Sequence, residues 1–217
     1  VQPVSVQAAE EFQGSDPRRK AETLLARLSP EERVGQLFLV TFKGMDVREN
    51  SQIYDLLVNR HVGGVILSAD NNNFIGPENT LNNTHTLIST LQTHRWVFDT
   101  GGAAPDATTS SGNYIPLLVG ISQEGDLAPY DQILNGVTSL PNPMAVGATW
   151  DPALAESTGA VMGKELQALG FNLFLGPSLD VLDVIRTEPS EDLGTRAFGA
   201  DPYWVGKMGS AYIKGLH

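Results

Sequence analysis

The chain has 217 residues, of which 41% are hydrophobic and 18% charged, a balance that describes a globular protein and excludes a disordered one. Its formal net charge of −11 excludes an electrostatic grip on nucleic acid, whose phosphates would be repelled. The lack of cysteine removes disulfides, thiolate nucleophiles and Cys-ligated metals, and no apolar run reaches the roughly 18 residues of a membrane span.

Residues 1–18 are polar and aperiodic and read as an arm. The opening lacks an initiator Met and an apolar core segment, so it reads as the mature end left by signal-peptide removal, or as an expression boundary; the expected setting is extracytoplasmic. A helix is expected over about 19–28. Ser29-Pro30-Glu31-Glu32 then forms a capping box, with Ser29 as cap, Pro30 in the first turn and Glu32 reaching back. QLFLVTF (36–42) is the first strand, followed by a helix over about 50–59 and a second strand, VGGVIL (62–67). Residues 76–96 contain a helix with Leu81, Ile88 and Leu91 as its buried face, and carry one sequon at Asn82-Asn83-Thr84. FDTGGAAPDATTSSGN (98–113) reads as a surface loop, and its Gly101-Gly102 pair lacks the spacing of a phosphate cradle. PLLVGI (116–121) is the third strand.

Asp151 caps the next helix with Pro152 in its first turn, and Gly170 closes it as a left-handed cap. Leu154, Thr158, Val161, Met162, Glu165 and Leu169 recur at helical spacing, so most of them are expected in the core. FNLFLGPSLDV (171–181) is the fourth strand with its exit. Asp201-Pro202 repeats the capping device and opens a last helix, from Tyr203 to about Leu216. Four strand-then-helix units of this kind predict a parallel α/β sheet covered by helices.

In parallel α/β folds, ligands gather at the C-terminal ends of the strands. The polar groups expected there are Thr41 and Lys43, Ser68 and Asp70, the run Ser122-Gln123-Glu124-Gly125-Asp126, Ser178 and Asp180, and Arg196 further on. His61, His85, His94 and His217 have no metal-binding spacing, and His85 and His94 are expected to face solvent; no metal and no cofactor is predicted. Trp96, Trp150 and Trp204 are able to stack on sugars, but Trp150 and Trp204 adjoin helix starts and are expected to pack locally.

VGQLFL, VGGVIL, PLLVGISQEGD, SLPNPMAVGATWDPALA, GFNLFLGPSLDV and GTRAFGADP follow one another as they do in the N-terminal barrel of glycoside hydrolase family 3, which the chain resembles from residue 29 to its end. The GTRAFG form is similar to the β-N-acetylhexosaminidase branch, whereas β-glucosidases of the family carry a WGR-type sequence there. The resemblance implies the first half, (βα)1–4, of a TIM-like (β/α)8 barrel over 29–217, preceded by an arm and leading helix over 1–28. It also implies a retaining glycosidase acting on β-linked N-acetylhexosaminides. Such chemistry needs a carboxylate nucleophile and an acid/base. In the family these are an Asp at a late strand end and a His beyond a KHFPGHG-like motif, so no catalytic residue is expected within this span.

The resemblance places sugar contacts at Arg196 and at Ser122. A guanidinium at Arg196 holds a hydroxyl or carboxylate, or else pairs with Glu191 or Asp192. Ser122 stands where the family carries an Asp, and Asp126 stands where a second Gly is usual. Charge-assisted hydrogen bonds are worth roughly 1.5–3 kcal/mol against about 1 for neutral ones, so Ser122 implies a weaker grip. Glu124 is expected behind the ligand, bonding loop amides, and Asp180 either meets substrate or braces its loop. The expected partners are a carbohydrate and the rest of the barrel, in the same polypeptide or a separate chain. The alternative is a non-catalytic carbohydrate-binding or structural subunit of an extracellular assembly. A doubly wound phosphate-binding domain lacks its Gly-rich fingerprint.

Overall fold

A computed structural model describes residues 16–102, 114–128, 131–184 and 193–217. Its helices, the one over Thr80–Thr100 excepted, start on a side-chain cap. Asp16 accepts from the Arg18 amide and opens α1 (Pro17–Arg27), so Pro17 and Arg18, assigned above to the arm, are helical. The Ser29 capping box forms as expected: Ser29 Oγ accepts from the Glu32 amide and Glu32 accepts from the Ser29 amide at 2.7 Å, opening α2 (Pro30–Gly35). α3 (Gln52–Val58), α4 (Thr80–Thr100), α5 (Pro143–Gly147), α6 (Pro152–Leu169) and α7 (Pro202–Leu216) complete the set. Asp151 and Asp201 cap the last two, and Gly170 ends α6 at φ 100°. α4 starts later and runs further than the predicted 76–96, so the loop after it begins at Gly101; residues 103–113 lie outside the described ones. The α5 turn, capped by Asn142, was not foreseen.

The strands are β1 (Leu39–Val40), β2 (Gly64–Ile66), β3 (Leu118–Ile121) and β4 (Leu173–Phe174), in the parallel order β1-β2-β3-β4. β1 is shorter than 36–42 because the Leu37 and Phe38 amides bond back to Val34 and Gly35 in the turn leaving α2. β4 is shorter than 171–181, and Asn172 before it adds side-chain pairing to its backbone bond with the Val119 carbonyl: it accepts from the Val119 amide at 2.7 Å and donates to the Leu117 carbonyl at 2.8 Å. Pro177 offers no amide to continue the ladder. Gln92 of α4 bonds both backbone groups of Leu117 in the same manner, so β3 begins at Leu118.

The register separates the two sheet faces. Val40, Val65, Val119 and Ile121 face the helices and join Ile53, Leu57, Leu87, Ile88, Leu91, Met162, Leu166 and Leu169 in one core. The opposite face is a layer of Leu39, Gly64 and Leu118, then Ile66, Gly120 and Leu173. Small residues alternate with large ones there, and Leu39 and Leu118 remain 41% and 43% exposed. A smaller core of Val146, Ala155, Phe198, Val205, Met208 and Tyr212 joins α5, α6 and α7.

On α6 the buried stripe is Ala155, Gly159, Met162, Leu166 and Leu169, so Leu154 and Val161, expected in the core, are exposed instead. His85 is exposed, but His94 is half-buried, with its ring edge-on to Tyr54 at 5.0 Å, against the expectation of a solvent-facing residue. The buried Arg95 pairs with Asp99 at 2.7 Å and donates to the Leu57 carbonyl. No helix among the described residues is long and apolar enough to cross a membrane.

Candidate functional site

Helices that return antiparallel to parallel strands leave the strand exits and the following helix starts on one face. The exits are held in place by buried amides. Asn73 donates to the carbonyls of Phe42 and Gly44 and accepts from the Ser68 amide, tying the exits of β1 and β2 together. The Ala69 amide donates to Gln132 Oε1 at 2.9 Å, joining β2's exit to the loop after β3.

That loop is the densest part of the site. Gln123 is buried; it donates to the Ile133 carbonyl and accepts from the Gln132 and Ile133 amides. Asp131 accepts from the amides of Glu124, Gly125 and Leu127 at 2.7–2.9 Å. Burial pushes the Asp131 carboxyl above its ordinary range, while those three amides act against the rise. The loop-bracing role expected of Glu124 therefore belongs to Asp131. Sequence reasoning passed over Asp131, Asn73 and Asn142, and listed Gln123 without its bracing role, because these side chains act mainly through backbone groups that only the folded chain brings near. The signal for Asp131 was an isolated acid between the apolar stretches 127–130 and 133–134.

Glu124 is only 8% exposed, yet among the described residues its carboxylate takes a single, long hydrogen bond, from Ser122 Oγ at 3.4 Å. Its Oε2 is buried and accepts nothing from the described residues. Burial pushes the Glu124 carboxyl above 4.5; the Arg196 guanidinium and the Ser122 hydroxyl pull it down, and Asp131 adds to the rise. Tyr212, buried in the smaller core, has its phenol pushed up by burial and then by the fields of Glu124 and Asp131. Ser122, Glu124, Asp131, Arg196 and Tyr212 thus form one electrostatic neighbourhood.

Arg196 sits at the end of a 3₁₀ turn, Gly194–Arg196, and its Nε donates to the Leu193 carbonyl at 3.0 Å. The next residue, Ala197, forms a parallel bridge with Ser178, so the segment after β4 runs beside its exit. Ser178 Oγ donates to Asp180 at 2.8 Å, which sets the exposed Asp180 on the strip adjoining Arg196. Glu191 and Asp192, the pairing alternatives for Arg196, lie outside the described residues. Asp126 is exposed, in a left-handed conformation at φ 70°, and is occupied by the Asn142 amide at 2.8 Å. The structure thus brings together Ser122, Glu124 and Arg196, leaves Asp180 exposed two residues from the Ser178–Ala197 bridge, and ties Asp126 to the start of α5. Trp150 and Trp204 pack edge-on at 4.9 Å, the local contact expected of them. Among the described residues no cluster of three His, Asp or Glu side chains is able to hold a metal ion.

The model of the glycosyl hydrolase family 3 N-terminal domain matches residues 29–217. The chain belongs to glycoside hydrolase family 3. Among the family members most similar to it, a beta-N-acetylglucosaminidase/beta-glucosidase of Cellulomonas fimi is 28% identical over 195 residues, 89% of this chain and 28% of that protein. Beta-hexosaminidase LpqI of Mycobacterium tuberculosis is 27% identical over 203 residues, 92% of this chain and 43% of that protein. Among solved structures, a family 3 beta-N-acetylglucosaminidase from Paenibacillus sp. superposes with a TM-score of 0.67 at 29% identity, over 87% of this chain and 31% of that one. A beta-N-acetylhexosaminidase of Beutenbergia cavernae gives 0.64 at 28% identity, over 88% and 51%. This family 3 chain therefore spans between about a quarter and a half of the length of these relatives. Its four β/α units are the first part of a TIM-like barrel, and the open Leu39–Gly64–Leu118 layer is the lining of that barrel.

Proposed function

We propose that this chain forms the first half of a barrel that binds β-linked N-acetylhexosaminides and serves their hydrolysis with retention of configuration. One observation carries the reading: in a chain of this family, Ser122, Glu124 and Arg196 meet on the face where the strands end, with Asp180 on the adjoining strip. The relatives named for hexosaminidase activity support the sugar class. On this reading Arg196 holds a sugar hydroxyl or carboxylate through its planar fork, Asp180 offers an exposed carboxylate beside it, and Ser122 contributes a neutral hydroxyl. Asp126, turned toward Asn142, compensates little for the charge missing at Ser122. The nucleophile and the acid/base, about 5–5.5 Å apart in retaining enzymes, come from the barrel's other units.

Ser122 itself favours a second reading, a subunit that binds carbohydrate without cleaving it, because it withholds the charge that grips the substrate. Hydrolysis of an aryl N-acetyl-β-glucosaminide by the native protein, with calorimetric binding of N-acetylglucosamine, separates the two. Arg196→Ala is expected to weaken binding at least about tenfold, and Ser122→Asp to strengthen it by about the same factor, the range that charge-assisted hydrogen bonds span. Binding without turnover selects the second reading. Neither binding nor turnover overturns both.

A further inference from the structure

We propose that Ser122 and Glu124 act as one unit, in which the buried carboxylate holds the serine proton so that Ser122 Oγ meets a donating sugar hydroxyl as an acceptor. The inference rests on the sugar-binding reading above and concerns how a site without the usual carboxylate still attracts its ligand.

Three observations carry it. Glu124 is more than nine-tenths buried, and one of its oxygens accepts nothing from the described residues. A buried carboxylate so sparsely bonded costs stability, and the loop is braced without it, because Asp131 takes the amides of Glu124, Gly125 and Leu127 while Gln123 ties down 132–133. Among the described residues, the one group within hydrogen-bonding reach of the Glu124 carboxylate is the Ser122 hydroxyl, at a long 3.4 Å that a bound ligand has room to tighten, and Ser122 is the residue in the site that lacks a charge.

A serine hydroxyl carries one proton and two lone pairs and rotates to suit its neighbours. With its proton directed at Glu124 Oε1, its lone pairs are left for the ligand, and the carboxylate polarises the oxygen through the bond in a low-dielectric setting. A neutral side chain then presents part of a negative charge. Burial raises the Glu124 carboxyl and opposes its ionised form, the Arg196 guanidinium and the Ser122 hydroxyl favour that form, and Asp131 opposes it. The relay selects ligand groups that donate, hydroxyl or amide N–H, over fluorine or an ether oxygen at the same place. Glu124 is here a positioning residue.

A double-mutant cycle on the native full-length protein tests this, with N-acetylglucosamine binding followed by calorimetry. Glu124→Gln is expected to weaken binding about fivefold when Ser122 is present, the worth of a charged over a neutral partner. In the Ser122→Asp background, which brings its own charge, the same change is expected to cost less than about twofold. Equal losses in the two backgrounds indicate a merely structural Glu124 and overturn the proposal, as does no loss beside Ser122. If Glu124→Gln fails to fold, Glu124→Asp, whose shorter side chain withdraws from the hydroxyl, is expected to weaken binding while Ser122→Thr retains it; the opposite order overturns the relay. Arg196→Ala serves as the control. If it abolishes binding while the changes at Glu124 do not, the relay alone falls. If neither change affects binding, or the native protein binds no sugar, the sugar-site reading falls and takes the relay with it.

Discussion

Glu124 is retained at a cost to the fold, and that cost has a sign that is open to measurement. Burial raises its carboxyl above 4.5, so the folded state holds the proton more tightly than the unfolded chain does. Stability from this group is therefore complete at acid pH and falls as pH rises from 4.5 through the raised value. Glu124→Gln removes the loss. Urea unfolding is expected to find the variant more stable than the parent at about pH 7, and no more stable at about pH 4, where both side chains are neutral. A parent that gains stability across this range relative to the variant contradicts the burial argument. Ser122 and Asp180 were readable at strand exits from the apolar runs before them, and Arg196 only through the family motif that carries it. Asp131 was not, because its three amide partners lie four to seven residues back in the chain and converge only when the loop turns on itself.

Elements meet where small residues let backbones approach. A Cβ added at Gly159 of α6 would lie 2.1 Å from the Tyr212 carbonyl of α7, and one at Gly215 of α7 would lie 2.0 Å from the Glu156 carbonyl of α6. This contact carries α7, and α7 packs Tyr212 and Phe198, two residues after Arg196, with Val146 of α5 and Ala155 of α6. Gly159→Val is therefore expected to cost at least about 2–3 kcal/mol in chemical denaturation, as overpacking of a closed contact does. It should also weaken any sugar binding that depends on Arg196. A loss below about 0.5 kcal/mol is incompatible with the close approach of these helices. The helix starts were legible from Ser29, Asp151 and Asp201, because a cap is local chemistry. The face that α6 buries was not: periodicity marked Leu154 and Val161, whereas the packing partner selects Ala155, Gly159 and Met162.

For the whole molecule, the decisive feature is the sheet face that no helix among the described residues covers. Leu39 and Leu118 stand open on it, and the outer strands β1 and β4 have no second neighbour among the described residues. Clefts of about 530 and 590 Å³ flank these two borders, the first mostly apolar, with Val34, Phe38, Leu56 and Val62, the second mixed, with Phe171, Leu173 and Ile213 beside Gln167, Asn172 and His217. Closing the barrel with further strand–helix units would cover the lining and both clefts together. Leu118→Ala provides the test: in a completed barrel it is expected to lower stability by about 2–5 kcal/mol, and on a solvent-facing sheet by less than about 0.5. The intact mass of the native protein is an independent check. A stable, solitary 23.3 kDa monomer would run against completion by other units.

Sequence alone determined what is local or periodic: the parallel α/β class, the helix caps, the order of the four strands and the family motifs that carry Ser122, Glu124, Asp180 and Arg196. Each of these rests on neighbours within a few residues, or on a pattern repeated along the chain. Tertiary structure decided the rest: how short the strands are, which stripe of α6 is buried, that Asp131 rather than Glu124 braces the loop, and that one sheet face lies open. These depend on groups far apart in the chain, such as Asn172 beside Val119 or Ala197 beside Ser178, and their pairing energy exists only once the chain has folded.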